Sequence, residues 1–126
     1  MWKRILVGYD GSEHSKKAVE KSEKIALQNN SDLIIVNIYR ELVTKSYSIS
    51  ILEQVKENIS EEVNVETIAA RSTDVDEELI EIAEKKKSDL IVVGSRGMGE
   101  AKALLLGSVS HSIATNAPTD VLIVRY

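Results

Sequence analysis

The chain has 126 residues, of which 43% are hydrophobic and 29% charged, with a formal net charge of −4 and no cysteine. This composition is typical of a globular protein large enough to bury a core, and it excludes disulfides and thiolate metal sites. The lysines and arginines are interleaved with acids, whereas a nucleic-acid binder presents a basic stripe to the phosphates. The sequence shows no charged leader followed by a long apolar run. No apolar run approaches the roughly 18 residues that a membrane span needs. We therefore expect one cytoplasmic domain, residues 1–126, that contacts neither nucleic acid nor membrane.

Five short apolar runs predict strands, and four segments with helical periodicity lie between them. The predicted strands cover residues 5–7, 33–38, 63–70, 90–93 and 121–124. Most of these runs are continuous rather than alternating, as in parallel strands covered on both faces. The predicted helices cover residues 13–29, 46–61, 74–87 and 108–117. Thr73 or Asp74 is available to cap the third helix, Val109, Ile113 and Ala114 share the apolar face of the fourth, and Pro118 ends it.

This alternation of strands and helices predicts a three-layer α/β domain with right-handed crossovers. In a doubly wound sheet, ligands bind beyond the carboxyl ends of the strands, where the strand order reverses. Two orders, 2-1-3-4-5 and 3-2-1-4-5, are compatible with five strands. Only the second brings together the loop after strand 1, GYDGS (8–12), and the loop after strand 4, GSRGMGEAKALLLGS (94–108).

The second of these loops holds four of the six glycines of the chain. Gly94, Gly97 and Gly99 permit positive φ and close approach of backbone N–H groups to a ligand. Gly107 and Ser108 open the last helix, whose first amides lack internal partners and attract anions, and the hydroxyls of Ser108 and Ser110 add donors. Two separated clusters suit a polyphosphate. The alternative is that the glycines only make turns and a helix cap.

Known phosphate and phosphoacceptor motifs do not fit. Gly94 to Gly99 has the glycine spacing of a P-loop, but Glu100-Ala101 follows where Lys-Ser/Thr is required. The dinucleotide fingerprint G-x-G-x-x-G is absent. A response-regulator receiver needs an aspartate after strand 3, where Ala70-Arg71 stands, and a flavodoxin needs more aromatic residues than this chain has.

Four polar side chains outside the glycines have both a functional and a structural interpretation. Asp10 is the acid that maps to the crevice, and its alternative role is to cap the turn before the first helix. Arg96 lies within the glycine loop, where it pairs with a phosphate or stays in solvent. His14 is expected to be exposed, and His111 to be solvated or packed rather than close to phosphates. The sequence therefore offers few of the groups that usually catalyse phosphoryl transfer, such as a second acid, a lysine that contacts the phosphates or a pair of metal ligands.

The motif Gly94-x2-Gly97-x9-Gly107-Ser108 resembles the G-x2-G-x9-G-[ST] signature of the universal stress protein family. The similarity extends over nearly the whole chain, through RILVGYDGSEHS, DLIIVNI, SDLIVVGSRG, LLLGSVSHSI and APTDVLIVRY. The resemblance implies an α/β fold with strand order 3-2-1-4-5, homodimers and, in the branch that carries the motif, ATP binding.

Carried over by motif, the resemblance implies a site made of several residues with different roles. Asp10 would approach the ribose or a Mg²⁺ ion on the phosphates, Gly8 would line the adenosine pocket, and Ile38 would offer backbone groups to adenine. The residues that would cradle the phosphates are Gly94, Gly97, Gly107, Ser108 and Val109, and Arg96 and Gly99 lie in the same loop.

Two departures from the family pattern affect the expected affinity more than the fold. Ala70-Arg71-Ser72 replaces the frequent Gly-x-Pro after strand 3, so that Arg71 narrows the rim of the adenine pocket or contacts the ligand. Segment 40–62 is short, which reduces the lid over the nucleotide.

Two functional hypotheses remain. The first is a regulatory module that binds ATP, ADP or AMP and signals through a protein partner that the sequence does not identify. The second is a weak Mg²⁺-dependent ATPase. In either case the apolar last strand, 121–126, is expected to be an edge that pairs two copies into a homodimer.

Overall fold

The computed structural model describes residues 1–96 and 106–125. Five strands and four α-helices alternate along the chain, with one 3₁₀ turn, Leu42–Thr44, after the second strand. The strands are β1 (Arg4–Gly8), β2 (Asp32–Tyr39), β3 (Asn64–Arg71), β4 (Leu90–Gly94) and β5 (Asp120–Val124). The helices are α1 (Glu13–Asn29), α2 (Lys45–Glu57), α3 (Val75–Lys85) and α4 (Ser108–Asn116).

The strands form one parallel sheet in the order β3-β2-β1-β4-β5. Ile5 of the central strand pairs with Leu33 of β2 on one side and with Leu90 of β4 on the other. The predicted fold class and the 3-2-1-4-5 order are therefore confirmed. The order reverses between β1 and β4, which places a switch point at their carboxyl ends.

Alternate strand residues feed two separate cores, one on each face of the sheet. On one face Ile5 and Val7 pack with Ala18 and Val19 of α1 and with Leu52 of α2. On the other face, Leu6, Ile34 and Ile91 pack against α3 and α4 through Leu79, Ile82 and Ile113. Because both faces of β1, β2 and β4 are covered, their central residues are apolar at consecutive positions, as the sequence indicated.

Two helices begin at side chains that cap their first amides. Ser12 accepts a hydrogen bond from the Ser15 N–H at the start of α1, and Asp74 accepts one from the Glu77 N–H at the start of α3. Of the two caps considered for α3, Asp74 is therefore the one used. At the other end of α1, Asn30 adopts the left-handed conformation, with φ of 55°.

Two details of the predicted helices were wrong. The second helix ends at Glu57 rather than at residue 61, and Ile59 packs against the core from the turn that follows. Ala114 is exposed, because the buried side of α4 consists of Ser110 and Ile113. Within the described part of the chain, no helix combines the length and apolarity that a membrane crossing requires.

Candidate functional site

A cleft of about 340 Å³ opens at the carboxyl ends of β1, β2 and β4, at the switch point of the sheet. Its volume lies at the lower end of the roughly 300–1,000 Å³ usual for small-molecule sites. Helices α3 and α4 form its sides. The described residues that line it are Gly8, Tyr9, Asp10, Ser15, Val36, Asn37, Ile38, Arg40, Val75, Leu79, Val93, Gly94, Arg96, Gly107, Ser108, Val109 and Ser110.

The lining contains both apolar and charged side chains. The apolar side chains are Val36, Ile38, Val75, Leu79, Val93 and Val109. The charged ones are Asp10, Arg40 and Arg96, so cations outnumber anions among the described lining residues, although the whole chain carries a net charge of −4. Such a cleft suits a ligand with an apolar, planar part and an anionic part.

The structure brings together most of the residues that the sequence singled out. The cleft is lined by Gly8, Asp10, Ile38, Gly94, Arg96, Gly107, Ser108 and Val109. Gly97 and Gly99 lie outside the described residues. Sequence reasoning missed Asn37, Arg40, Val75 and Leu79, although the position of Arg40 directly after β2 could have indicated it, since carboxyl ends of parallel strands share one edge.

Gly94 is a glycine because another part of the backbone lies against it. A Cβ at position 94 would come within 2.7 Å of the main-chain carbon and the Cβ of His14, in the first turn of α1. Among the glycines of the described chain, Gly11 has positive φ, at 85°, and Gly94 does not. Gly94 therefore does not use the positive φ that glycine permits, and its immediate role is to let α1 pack on the end of β4.

The start of α4 is built differently from the starts of α1 and α3. The N-cap residue is Gly107, which has no side chain with which to cap the first turn. The Gly107 N–H itself donates to the Ser95 carbonyl at 2.6 Å. The backbone donors at this end of α4 that point beyond the helix are therefore those of its first turn, beginning at Ser108 and Val109, both in the cleft lining.

Ser110 does not serve as predicted. Its hydroxyl is buried and donates to the Ser95 carbonyl at 2.8 Å, with a second contact to the Gly107 carbonyl at 3.1 Å. It fixes the approach of α4 to β4 instead of facing a ligand. The fold uses this hydroxyl as a backbone partner, which the pattern of the sequence does not reveal.

Asp10 has the local role that the sequence gave as an alternative. Its Oδ1 accepts a hydrogen bond from the Ser12 N–H at 2.9 Å, which closes the turn between β1 and α1. Gly11, at φ of 85°, completes that turn. The carboxylate also lines the cleft, and one oxygen bound in the turn leaves the group in a fixed orientation.

A buried polar network lies beneath this loop. Asn37 of β2 donates from Nδ2 to the Tyr9 carbonyl at 2.8 Å and accepts at Oδ1 from the Ser48 hydroxyl of α2 at 2.5 Å. Asn37 and Ser48 are both buried. Burial also raises the pKa of the Tyr9 phenol. Because each buried amide atom is satisfied, the network holds α2 and the β1–α1 loop in fixed relation to the cleft.

His14 was predicted to be exposed, and the structure shows that it is not. Its ring is half-buried, with Nδ1 2.8 Å from the Ser95 hydroxyl and Nε2 3.4 Å from Nη2 of Arg96. The expectation failed because helical periodicity alone does not show that the loop after β4 covers the first turn of α1. His111 is exposed on α4, in agreement with the solvated role considered for it.

Two further expectations concern Arg71 and a metal. Arg71 is exposed and donates from Nε to the Arg40 carbonyl at 3.3 Å. It thus contacts the backbone of a lining residue and is not itself among the described residues of the lining. In the part of the chain that the structure describes, no group of three or more His, Asp or Glu side chains could hold a metal ion.

The parallel sheet in the order 3-2-1-4-5 and the cleft at its switch point define a doubly wound α/β protein, a class in which small ligands bind at the carboxyl ends of the strands. Comparison with known proteins is more specific. The family model of the universal stress protein family matches residues 1–125. The chain belongs to this family, as the sequence motif indicated.

Curated relatives and solved structures agree with that assignment. The chain is 34% identical over 149 residues to universal stress protein YxiE of Bacillus subtilis, an alignment that covers 99% of this chain and all of the relative. It is 31% identical over 137 residues to a universal stress protein of Thermus aquaticus, with 99% and 100% coverage. A universal stress protein solved in complex with cAMP superposes with a TM-score of 0.83 at 32% identity, covering 98% of this chain and 97% of that one. The structure of protein MJ0577 superposes with a TM-score of 0.88 at 25% identity, covering 100% and 97%.

Proposed function

We propose that the protein is a regulatory module that binds an adenine nucleotide in the cleft at the switch point. The observation that carries the proposal is the composition of the cleft lining. The apolar side chains of Val36, Ile38 and Leu79 line the same cleft as Arg96 and the start of α4, whose N-cap residue has no side chain. A nucleotide has the matching division into an apolar planar base and an anionic phosphate.

The electrostatics of the cleft favour a phosphate at the start of α4. The amides of a helix N-terminus carry partial positive charge and stabilise an anion by about 0.3–1 kcal/mol, and by up to ~2 kcal/mol in sheltered sites. The guanidinium groups of Arg40 and Arg96 add two positive charges at the rim, and arginine binds phosphate in a bidentate manner. The net acidity of the chain is therefore no obstacle to anion binding in this cleft.

The choice of an adenine nucleotide draws support from the relative solved with cAMP, which shares the fold at 32% identity. Ile38 lies at the end of β2 on the apolar side of the cleft, in a position to contact a base. ATP, ADP, AMP and cAMP share the adenosine and differ in the phosphate. We expect discrimination among them to depend on the start of α4 and on the glycine-rich segment before it.

A Mg²⁺ ion fits this site only as a companion of the phosphates. The described lining contains one carboxylate, Asp10, and Mg²⁺ in proteins is often held by one or two carboxylates together with substrate phosphates and water. When bound, such an ion would neutralise phosphate charge. Asp10, whose carboxylate is oriented by a hydrogen bond from the Ser12 N–H, is the residue that would hold the ion. The alternative role of this carboxylate is to bind the ribose.

The alternative function, a weak Mg²⁺-dependent ATPase, requires a group that activates water. Asp10 is the carboxylate in the described lining that could do so. The two functions are separated by incubating the protein with excess ATP and Mg²⁺ and comparing product formation with an Asp10→Ala variant. A rate equal in the two proteins supports the binding module, and a rate that falls in the variant supports the ATPase.

The proposal itself is tested by mass spectrometry of small molecules released from the purified, denatured protein, followed by calorimetric titration with ATP, AMP, cAMP and GTP. We expect an adenine nucleotide to be released, and the adenine nucleotides to bind more tightly than GTP. Failure of all four nucleotides to bind at millimolar concentration would refute the proposal.

A further inference from the structure

The ring of His14 is held at both of its nitrogens by groups from the loop after β4. Nδ1 lies 2.8 Å from the Ser95 hydroxyl, and Nε2 lies 3.4 Å from Nη2 of Arg96. A guanidinium group has only N–H donors and cannot accept a hydrogen bond. Nε2 must therefore be the acceptor in its contact with Arg96, which assigns the proton of the neutral ring to Nδ1 and makes Ser95 Oγ the acceptor there.

The Ser95 end of this arrangement is rigid. Ser95 is buried, with 2% of its surface exposed, and its N–H donates to the Val124 carbonyl of β5 at 2.8 Å. Its own carbonyl accepts from the Gly107 N–H and from the Ser110 hydroxyl. The main chain of His14 is fixed as well, because it packs directly on Gly94. The imidazole is thus a rigid support between α1 and the loop that leads to the cleft.

The imidazole of His14 contacts the guanidinium of Arg96. Arg96 lines the cleft, and a long side chain such as arginine loses conformational entropy when it binds a ligand unless it is already oriented. A fixed acceptor at Nε2 of His14 restrains one nitrogen of the guanidinium, a planar group with five N–H donors in all.

We propose that His14, in its neutral Nδ1–H form, is a positioning residue that orients Arg96 for the phosphate of the bound nucleotide, so that protonation of Nε2 weakens phosphate binding. This inference rests on the proposed function, and it adds a residue outside the described cleft lining. A protonated imidazole has two donors and no acceptor, so it repels the guanidinium that the neutral ring holds.

Charged residues stand on the segments that carry or contact the pair. Glu13 and Lys17 are exposed neighbours of His14 on α1, and Asp10 in the preceding loop lines the same cleft as Arg96. Arg125 follows Val124, the β5 residue to which Ser95 is bound. Helix α1 itself carries a negative charge at Glu13 and a positive charge at Lys17. The contact at Nε2 is with the cationic Arg96, and protonation of the ring disrupts this contact.

Two substitutions separate the two ends of the ring. His14→Gln places an amide oxygen at about the reach of Nε2, which accepts from Arg96 and does not titrate. His14→Asn places an amide near Nδ1, which preserves a donor for Ser95 and leaves no acceptor for Arg96. We expect wild type and His14→Gln to bind AMP alike at about pH 8, and His14→Asn to bind it about tenfold more weakly. Adenosine, which lacks the phosphate, should bind equally to all three proteins.

The dependence on pH is measured as the ratio of the AMP dissociation constants of wild type and His14→Gln. The AMP phosphate itself titrates in the same range, and this ratio cancels that effect. At a pH low enough to protonate the ring, wild type should become roughly tenfold weaker than His14→Gln, which has no ring to protonate. If wild type instead becomes the tighter binder at low pH, the charged ring contacts phosphate directly and the proposal is wrong.

Two controls connect the effect to Arg96. In an Arg96→Ala background, His14→Asn should have no further effect on AMP binding, since an interaction between two residues disappears when either is removed. Additive losses would contradict the proposal. Long-range ¹H–¹⁵N NMR of the imidazole should show the Nδ1–H tautomer in the unliganded protein, and an Nε2–H tautomer would overturn the arrangement. If wild type binds neither AMP nor adenosine, the proposed function fails, while the tautomer still decides whether His14 and Arg96 are paired.

Discussion

The main-chain carbonyl carbon of His14 lies 2.7 Å from the position that a Cβ at residue 94 would occupy, and the carbonyl oxygen lies 2.8 Å from it. Real Cβ atoms do not approach other atoms so closely. The first turn of α1 therefore rests directly on the end of β4, and the glycine that begins the motif has a structural function before any ligand is present. The contact also fixes the backbone that carries His14.

Replacement of Gly94 by alanine should therefore destabilise the fold. The added methyl group meets backbone atoms, which cannot rotate away, so α1 must shift at a cost of about 1–3 kcal/mol. Gly8→Ala is the matched control, since a Cβ there would meet the flexible Leu79 side chain at 3.4 Å and Val93 at 3.6 Å, which are ordinary contacts. Urea denaturation of the two variants compares them. Equal free energies of unfolding for both variants would mean that α1 yields easily at this position.

A negative charge at the start of α4 should separate phosphate binding from stability. We expect Ser108→Glu to keep or slightly raise the free energy of unfolding, by about 0.3–1 kcal/mol, because acidic groups are favourable at a helix N-terminus. The same charge should weaken AMP binding at least tenfold by repelling the phosphate. Ala114→Glu, on the exposed side of the same helix, adds an equal charge away from the cleft lining. Calorimetry in which both variants bind AMP like wild type would contradict a phosphate at this helix end.

The order of the sheet and the position of the cleft could be anticipated from the sequence because both depend on repeated, local features. Continuous apolar runs such as Leu90–Val93 indicate covered parallel strands, and the motif similarity resolved the two strand orders that the pattern left open. Glycines concentrated at the ends of two particular strands located the crevice once that order was chosen.

The remainder depends on contacts between distant segments. The contact of His14 with Ser95 joins residues 81 positions apart, and no periodicity in α1 reports what covers its first turn. Ser110 and Gly107 look like ligand groups in the motif, yet both donate to the Ser95 carbonyl. A hydrogen-bond donor in a sequence pattern does not reveal whether the fold already uses it. The same limit applies to Asn37, whose partners come from the loop between β1 and α1 and from α2.

Asp10→Asn tests whether the carboxylate acts through a metal or through the ribose. Asparagine retains an Oδ1 that can accept from the Ser12 N–H, so the turn and the stability should be nearly unchanged and the lost charge is isolated. If Asp10 holds Mg²⁺, the variant should bind ATP with Mg²⁺ at least tenfold more weakly and AMP almost as well as wild type. Calorimetric titrations with equal losses for the two ligands would assign Asp10 to the ribose instead.

The contact between α3 and α4 should make stability depend on pH through Asp76. Its carboxylate accepts a hydrogen bond from the Ser112 hydroxyl, and this bond is the main cause that lowers the pKa of Asp76. A carboxyl group whose pKa is lower in the folded than in the unfolded state contributes stability above the unfolded value, and this contribution is lost as the pH falls through the folded value. Asp76→Asn should therefore cost about 0.5–1 kcal/mol at neutral pH, a value reduced by partial exposure, and progressively less as the pH falls through the lowered folded value.

The free energies of unfolding of the Asp76 variant and of wild type are compared at each pH, because the neighbouring Glu77 has the opposite effect on the pH dependence of stability. The side chain of Asp74 raises the pKa of Glu77, so that residue favours the folded state at low pH. Thermal denaturation at several pH values, with Ser112→Ala as the partner variant, gives the difference due to Asp76. If Asp76→Asn costs the same at neutral pH and at the most acidic pH at which the protein stays folded, the Ser112 contact does not depend on the charge.

The last prediction concerns β5, which lies at the edge of the sheet. The Val124 carbonyl accepts from Ser95 and thus points toward β4, and because successive strand residues point their backbone groups to opposite sides, those of Val121 and Ile123 point outward. We expect two copies to pair antiparallel along this edge about a two-fold axis, which satisfies both edges at once. Ile123→Pro removes an outward N–H while sparing the backbone groups of Leu122 and Val124, so it should yield a folded monomer, whereas Ile123→Val should remain dimeric. Light scattering measures the mass of each protein in solution, and a wild-type monomer at tens of micromolar would contradict the pairing.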